Sequence, residues 1–168
     1  MNNKYKMLLL DDDSKILDSI CSYFEMFYPN IKIITGKNGQ EGIARLNESN
    51  FDIVLTDYEM KPGNGLDVLN YIKDNKIDTL TIIITSHSSK PLLMDSIKLH
   101  VHQFIEKPIC PTAMKDVFDK VIETLTQKQN RAKLERLGEI SATIAHDINN
   151  PLSAVSYTHL TLPTIYSV

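Results

Sequence analysis

The chain has 168 residues, of which 42% are hydrophobic and 23% charged, so it can bury a core and is not expected to be disordered. No apolar run approaches the ~18 residues that span a bilayer. The net charge of −3 does not indicate a basic surface that would bind nucleic acid. Because the two cysteines, Cys21 and Cys110, are isolated, we expect a cytoplasmic protein without a disulfide scaffold, bound directly neither to membranes nor to nucleic acid.

The charged residues divide the chain into three regions. Residues 1–125 contain 14 basic and 18 acidic residues, and residues 126–155 contain four basic and three acidic residues. Residues 156–168 contain no charged residue. This uneven distribution predicts three segments of different kinds.

Up to residue 125, short apolar runs alternate with longer amphipathic stretches. The apolar runs are typical of parallel strands buried on both faces; they are Tyr5–Leu10, Ile31–Thr35, Phe51–Thr56, Thr81–Thr85 and His102–Glu106. The amphipathic stretches predict the helices Lys15–Phe27, Gly39–Leu46, Gly65–Lys73, Pro91–Lys98 and Pro111–Gln127, with N-caps at Ser14, Asn38, Asn64 and Ser89. Five successive βα units predict an α/β fold with a five-stranded, doubly wound parallel sheet.

In such sheets, chemistry collects beyond the carboxyl ends of the strands. Polar residues follow or end four of the strands, namely Asp11, Asp12, Asp13, Asp57, Thr85, Ser86, Glu106 and Lys107. With the strand order 2-1-3-4-5, Asp12 and Asp57 would share an acidic pocket with Lys107 and Thr85 beside it. Clustered carboxylates need a hard cation, for which Mg²⁺ fits best. One carboxylate could then attack phosphorus and form an acyl phosphate.

The chain resembles the receiver domain of two-component response regulators in four stretches, which read LLLDDDSKIL, FDIVLTDYEMKPGNGLDVL, IIITSHSS and FIEKP. The resemblance covers roughly residues 3–127 and implies a flavodoxin-like fold with the strand order 2-1-3-4-5. It implies that Asp57 is the phosphoacceptor, with Lys107 as the phosphate partner and Thr85 as the phosphate-sensing hydroxyl. The implied Mg²⁺ ligands are Asp11, Asp12, Asp57 and the backbone carbonyl of Glu59, and Phe104 is the implied aromatic switch.

Some of these residues have a simpler interpretation or depart from the family pattern. Asp13 is expected to cap the following helix, and Phe104 is equally well explained as a core aromatic. Lys61 stands where receivers usually carry proline, and Ser86 stands where alanine or glycine is commoner.

The second region has a different spacing. Apolar and small residues recur at 3-4-3-4 intervals, at Leu134, Leu137, Ser141, Ile144 and Ile148. This seam covers two heptads and predicts a weak homodimer through residues 134–150. On that frame, His146 lies away from the seam.

The stretch LGEISATIAHDINNPLSAV resembles the H-box of a histidine-kinase dimerisation and phosphotransfer domain. The resemblance implies that His146 is phosphorylated, that Asp147 is the acid beside it and that Pro151 bends the helix. Asn150 stands where the family often carries a residue that assists dephosphorylation. An ATP-binding domain does not follow, so we expect a phosphoacceptor module whose parent is a hybrid histidine kinase.

These observations predict a receiver domain over 1–125, a helical linker over 126–133 and the start of a histidine-kinase helix over 134–155. The tail 156–168 is expected to be disordered; it resembles translated sequencing-adaptor read-through, with a genuine disordered tail as the alternative.

The predicted function is phosphorelay signalling, with Mg²⁺-dependent phosphoryl acceptance on Asp57 from a histidine kinase or phosphotransfer protein. One alternative is a stand-alone response regulator whose extra helix only dimerises. A remote alternative is a haloacid-dehalogenase-like phosphatase with Asp11 as nucleophile and Asp13 as acid. Lys15 disfavours it, because that pattern has Thr or Val there. A flavin phosphate is excluded by the repulsion of three aspartates after strand one.

Overall fold

The structure is a computed structural model that describes residues 4–86, 99 and 101–155, with residues 139–155 described by their backbone alone. The strands are β1 (Tyr5–Leu10), β2 (Ile31–Gly36), β3 (Ile53–Asp57), β4 (Leu80–Thr85) and β5 (Gln103–Glu106). The helices within the described residues are α1 (Ser14–Phe27), α2 (Gly39–Glu48), α3 (Gly65–Asp74) and α4 (Pro111–Val155). The predicted helix Pro91–Lys98, its cap Ser89 and the tail 156–168 lie outside the described residues.

The five strands form one parallel sheet in the order β2-β1-β3-β4-β5. This confirms the predicted fold class and the predicted strand order. The switch point lies between β1 and β3, because the chain passes from β1 to β2 on one side and then crosses back to β3 on the other side of β1. The carboxyl ends of β1 and β3 therefore lie side by side.

Successive residues of a strand point to opposite faces of the sheet, and in the central strands β1, β3 and β4 the side chains on both faces are buried. On one face, Leu8, Leu10 and Val54 join a core cluster with Leu46 of α2 and Val68 of α3. The intervening strand residues are buried as well, with relative exposures of 0% for Met7, Leu9, Ile53 and Leu55. Burial on both faces explains why the strands contain almost no polar alternation.

An aromatic cluster joins α1 to the first turns of α4. The rings of Phe24 and Phe118 are fully buried and meet edge to face, with their centroids 4.5 Å apart. The Tyr28 hydroxyl donates to Asp119 Oδ1 at 3.0 Å, and the Tyr23 hydroxyl donates to the carbonyl of Pro111 at 3.2 Å. The start of α4 is thus held by apolar and polar contacts to α1.

Two of the predicted helix caps are confirmed and one is wrong. The side chain of Asn38 caps α2, and Asn64 forms a reciprocal capping box with Asp67 at the start of α3. The N-cap of α1 is Asp13 rather than Ser14, because Asp13 has extended backbone angles and accepts from Lys15 N at 2.8 Å. The capping role expected of Asp13 is therefore confirmed.

The chain divides into two compact units, Met1–Ile122 and Glu123–Val168. α4 runs from Pro111 to Val155, so the helix predicted over Pro111–Gln127 continues through the residues expected to form a helical linker, 126–133, and a further helix, 134–155. In the second unit, every residue from Gln127 to Gly138 is exposed, with relative exposures of 69% for Leu134 and 51% for Leu137. Among the described residues, no helix is both long and apolar enough to cross a membrane.

Candidate functional site

Three carboxylates meet at the carboxyl ends of β1 and β3. Asp11 and Asp12 follow β1 directly, and Asp57 is the last residue of β3. Each offers a carboxylate oxygen, and these oxygens lie within 4.8 Å of one another. Asp11 is fully buried, Asp57 is 4% exposed and Asp12 is open to solvent. The acidic pocket expected from the strand order is therefore present.

Lys107 bridges the two buried carboxylates. Its Nζ lies 3.0 Å from Asp57 Oδ2 and 3.2 Å from Asp11 Oδ2. Lys107 follows β5, and its backbone N–H donates to the carbonyl of Thr85 at 2.8 Å. The remaining Asp11 oxygen, Oδ1, accepts from the backbone N–H of Asp13 at 2.9 Å. Asp11 is thus oriented by partners on both sides, as a buried charge requires.

Burial and charge act in opposite directions on the ionisation of this cluster. Burial raises the pKa of Asp57, and Asp11 adds to this, whereas the hydrogen bond and charge of Lys107 oppose it. Burial alone would lower the pKa of Lys107, but the contacts with Asp57 and Asp11 outweigh it and raise that pKa. Lys107 therefore stays an ammonium at neutral pH and holds the two carboxylates together.

The donor set of this pocket fits a hard divalent cation. All three candidate ligand groups are carboxylates, and a single ammonium does not balance three of them when they are ionised. Mg²⁺ prefers a few carboxylates together with several water molecules. Water can reach the pocket at Asp12, which is exposed.

The loop after β3 lines an open cleft beside the aspartates. The cleft has a volume of about 620 Å³ and is lined by Asp12, Tyr58, Glu59, Met60, Lys61 and Asn64. Glu59 and Lys61 are exposed, whereas Met60 is buried at 4%. The loop turns at Gly63, whose φ of +74° is a conformation that favours glycine.

Thr85 and Phe104 lie on the neighbouring strands. Thr85 ends β4 and is 4% exposed, one residue beyond Ile84, which pairs with Asp57. Phe104 pairs with Ile83 and packs, partly exposed, against the core cluster. The core interpretation of Phe104 is thus confirmed, and its role as a switch stays a prediction.

His146 and Asp147 belong to the helical backbone of α4. Their side chains lie outside the described part of the chain, as do those of Asn150 and Pro151. The expected outward direction of His146 therefore stays a prediction.

The sequence pattern marks Gly65 only as the first residue of a predicted helix. In the structure, its backbone lies against the carbonyl of Asp57. A signal was present, because glycine is an unfavourable residue inside a helix and Gly65 directly follows the N-cap Asn64.

The fold and this site define a doubly wound α/β protein with an acidic pocket at its switch point. Residues 7–119 match the family described as "Response regulator receiver domain". The chain therefore belongs to the response regulator receiver family of two-component signalling.

Individual relatives agree with this assignment. The transcriptional regulatory protein FlgR from Helicobacter pylori is 30% identical over 131 residues, which are 78% of this chain and 33% of FlgR. The REC domain of AraT, a response regulator from Geobacillus stearothermophilus, is 25% identical with a TM-score of 0.67, covering 74% of this chain and 98% of that one. A CheY-like receiver domain protein from Methanospirillum hungatei has the same fold, with 23% identity and a TM-score of 0.65 over 76% and 98% of the two chains.

The chain spans only part of the curated relatives that it matches, for example 33%, 43% and 62% of three of them. The receiver assignment therefore covers one domain of such proteins.

Proposed function

We propose that Asp57 accepts a phosphoryl group from a histidine kinase or a phosphotransfer protein. The observation that carries this proposal is the Asp57 carboxylate itself, which lies beside Asp11 and Asp12 and within 3.0 Å of the Lys107 ammonium. The haloacid-dehalogenase-like alternative, with Asp11 as nucleophile, leaves Asp57 without a role.

In the proposed step, a carboxylate oxygen of Asp57 forms a bond to phosphorus while the bond from phosphorus to the donor histidine nitrogen breaks. The electron pair of that bond stays on the imidazole, which can take a proton from water. Lys107 would offset the negative charge on a transferring phosphoryl oxygen, and the Thr85 hydroxyl would contact the product.

Asp11, Asp12, Asp57 and the backbone carbonyl of Glu59 would hold Mg²⁺ in this site. When bound, Mg²⁺ would neutralise the carboxylates and the phosphoryl oxygens. Asp11 would keep its contact with Lys107, so the two buried acids stay positioned around one ammonium.

The test is intact mass spectrometry after incubation with acetyl phosphate and Mg²⁺. We expect one adduct of about 80 Da on the wild type, none on Asp57→Asn and none in EDTA. Asp119→Asn is the matched control, because Asp119 is an exposed aspartate on α4 that is expected to leave labelling unchanged. An adduct that persists on Asp57→Asn would disprove the assignment.

We further propose the division into a receiver over 1–125, a linker over 126–133 and a histidine-kinase phosphotransfer segment over 134–155. The resemblance of the H-box supports this proposal, and α4 is helical through His146 as that segment requires. Asp147 would hydrogen-bond one imidazole nitrogen and leave the other nucleophilic.

The second proposal predicts that His146 is labelled from radioactive ATP only when the catalytic domain of a related kinase is added. The label should be acid-labile and base-stable, as phosphohistidine is. It should be absent from His146→Gln and present in the matched control His102→Gln. Asp57→Asn should keep or increase the label, because onward transfer is blocked. A label that persists in His146→Gln would instead favour the stand-alone response regulator with a dimerisation helix.

A further inference from the structure

The first residue of α3 lies directly against the main chain of the proposed phosphoacceptor. A Cβ atom placed on Gly65 would lie 2.4 Å from the carbonyl oxygen of Asp57, 3.2 Å from its carbonyl carbon and 3.2 Å from Tyr58 Cα. A real Cβ atom needs about 3.0 Å or more. Only glycine therefore fits here without a displacement of one backbone segment from the other.

Neither backbone segment is free to move aside. On the strand side, the Thr56 hydroxyl donates to the Asp57 carbonyl at 2.9 Å, and Tyr58 N donates to the carbonyl of Ile84 at 2.9 Å. On the helix side, Gly65 N donates to the Tyr58 carbonyl at 3.1 Å, next to the capping box that starts α3. A displacement of either segment would therefore also move the main chain of Asp57 and of the loop 58–64.

Thr56 is the second residue that contacts this carbonyl. It is fully buried in β3, where the residues that precede it in the strand are all apolar. A buried hydroxyl is costly unless it is hydrogen-bonded, and this one has its partner in the Asp57 carbonyl. The same oxygen is thus held by a hydroxyl and closely approached by a glycine.

We propose that Gly65 and Thr56 are positioning residues that fix the main chain of Asp57 and of the loop that carries Glu59. This inference rests on the proposed function of Asp57. The carboxylate of Asp57 must keep its place relative to Lys107 while it meets the donor, and the Glu59 carbonyl must keep its place relative to Asp11 and Asp12. Both depend on the backbone that Gly65 and Thr56 hold.

The expected effect follows from the sensitivity of group transfer to geometry. A misplacement of 1 Å can cost about 100-fold in rate. A Cβ on Gly65 must increase a separation of 2.4 Å to 3.0 Å or more. We therefore expect Gly65→Ala to lower the rate of phosphoryl uptake at saturating acetyl phosphate by about tenfold or more. We expect Thr56→Val, which removes the hydroxyl and preserves the shape, to lower it by a smaller factor.

Two other glycines provide matched controls. A Cβ on Gly138 meets nothing within 4 Å. A Cβ on Gly42 would lie 2.5 Å from Leu10 Cδ1, the far end of a flexible side chain, so Gly42→Ala perturbs packing without contacting the backbone of Asp57. Both variants should keep the wild-type rate per folded molecule, even where Gly42→Ala lowers the melting temperature.

The experiment measures three quantities on the full chain for each variant: the melting temperature, the Mg²⁺ dissociation constant by calorimetry, and the uptake rate as a function of acetyl phosphate concentration. For Gly65→Ala and Thr56→Val, we expect a lower maximal rate and weaker Mg²⁺ binding. The acetyl phosphate concentration that gives half the maximal rate should change little. A purely structural role would lower the melting temperature and leave both the Mg²⁺ dissociation constant and the maximal rate per folded molecule unchanged, and that result would overturn the inference.

If Gly65→Ala does not fold, Thr56→Val tests the inference alone, because an unchanged rate and Mg²⁺ affinity in that variant would overturn the inference.

Two outcomes separate this inference from the proposed function. If the wild type itself takes up no phosphoryl group on Asp57, the proposed function fails and the positioning roles fail with it. If the wild type is labelled and both variants match it, only the positioning inference fails.

Discussion

The two units of the chain form their helices for different physical reasons. In Met1–Ile122, helices of 10 and 14 residues cover a sheet whose side chains are buried on both faces. In Glu123–Val168, the described side chains from Gln127 to Gly138 are all exposed. Short helices are only marginally stable by themselves in water. The helices of the first unit therefore depend on tertiary packing, whereas the helix of the second unit depends on helix propensity and on side-chain pairs within the helix. The same mutation type should therefore have very different effects in the two units.

Ion pairs differ between the units in the same way. Lys107 contacts two buried carboxylates, and only 21% of its side chain is exposed. Arg131 and Glu135 form an i,i+4 pair at 3.0 Å, with side chains that are 84% and 63% exposed. Water screens the exposed pair, so its net contribution to stability is small. The buried pair holds charges that would otherwise lack a partner.

The largest difference is expected for apolar truncations. Phe118→Ala removes a fully buried ring that meets Phe24 at 4.5 Å, so it should lower the free energy of unfolding by about 3 to 5 kcal/mol. Leu137→Ala removes a side chain that is 51% exposed and should change it by less than about 0.5 kcal/mol. Urea titrations followed by circular dichroism measure both. Equal losses would show that Leu137 is packed against a partner.

A smaller difference is expected for the ion pairs. Lys107→Met leaves Asp11 and Asp57 buried without their cation, so it should lower the free energy of unfolding by about 3 kcal/mol in the absence of Mg²⁺. Arg131→Gln should cost less than about 0.5 kcal/mol. Added Mg²⁺ should restore part of the stability of Lys107→Met. If both substitutions are neutral, the carboxylates are not held by Lys107.

The ionisation of Asp57 gives a third, pH-dependent prediction. Because burial raises its pKa in the folded state, the protonated form favours folding, and this contribution is lost as the pH rises through the folded pKa. Without Mg²⁺, Asp57→Asn should therefore be more stable than the wild type at pH 7. That advantage should shrink as the pH falls through the pKa of Asp57. Thermal melts of both proteins from pH 7 to pH 4 measure it.

Asp119 is a control whose pKa is shifted in the opposite direction to that of Asp57. Hydrogen bonds from Lys115 and Tyr28 lower its pKa, so its charged form favours folding. Asp119→Asn should be less stable than the wild type at pH 7, and the two should converge as the pH falls. An advantage of Asp57→Asn that does not change with pH would contradict the assigned cause.

The smallest effect concerns association through the seam of Leu134, Leu137, Ser141, Ile144 and Ile148. Two heptads bury little surface, so we expect a homodimer with a dissociation constant on the order of micromolar at best. Replacing Leu134 and Leu137 together by lysine should abolish dimerisation in light scattering and leave the melting temperature of the first unit unchanged. If the wild type is monomeric at high concentration, the prediction that this seam forms a homodimer is wrong.

Local signals predicted most of the elements but not all of their limits. β1 has the predicted limits, and the caps Asn38 and Asn64 are confirmed, because each depends on residues close in sequence. Asp13 and Ser14 are both good capping residues for α1, and only the backbone angles of Asp13 decide between them. The apolar stripe of α4 ends near Gln127, but the helix continues, since residues 127–137 are mostly strong helix formers.

The amino-acid sequence alone is enough to locate most strands and helices and the polar residues that stand where a strand ends. It places Asp11, Asp12, Asp57 and Lys107 at such ends, since apolar runs and their limits are local properties. The contacts themselves are visible only in the folded molecule: the Lys107 ammonium contacts two carboxylates, one of them on Asp11, 96 residues away, and Gly65 lies against the carbonyl of Asp57. Such contacts require that chain segments be placed relative to one another to within a few tenths of an ångström, and strand order and packing together set that placement.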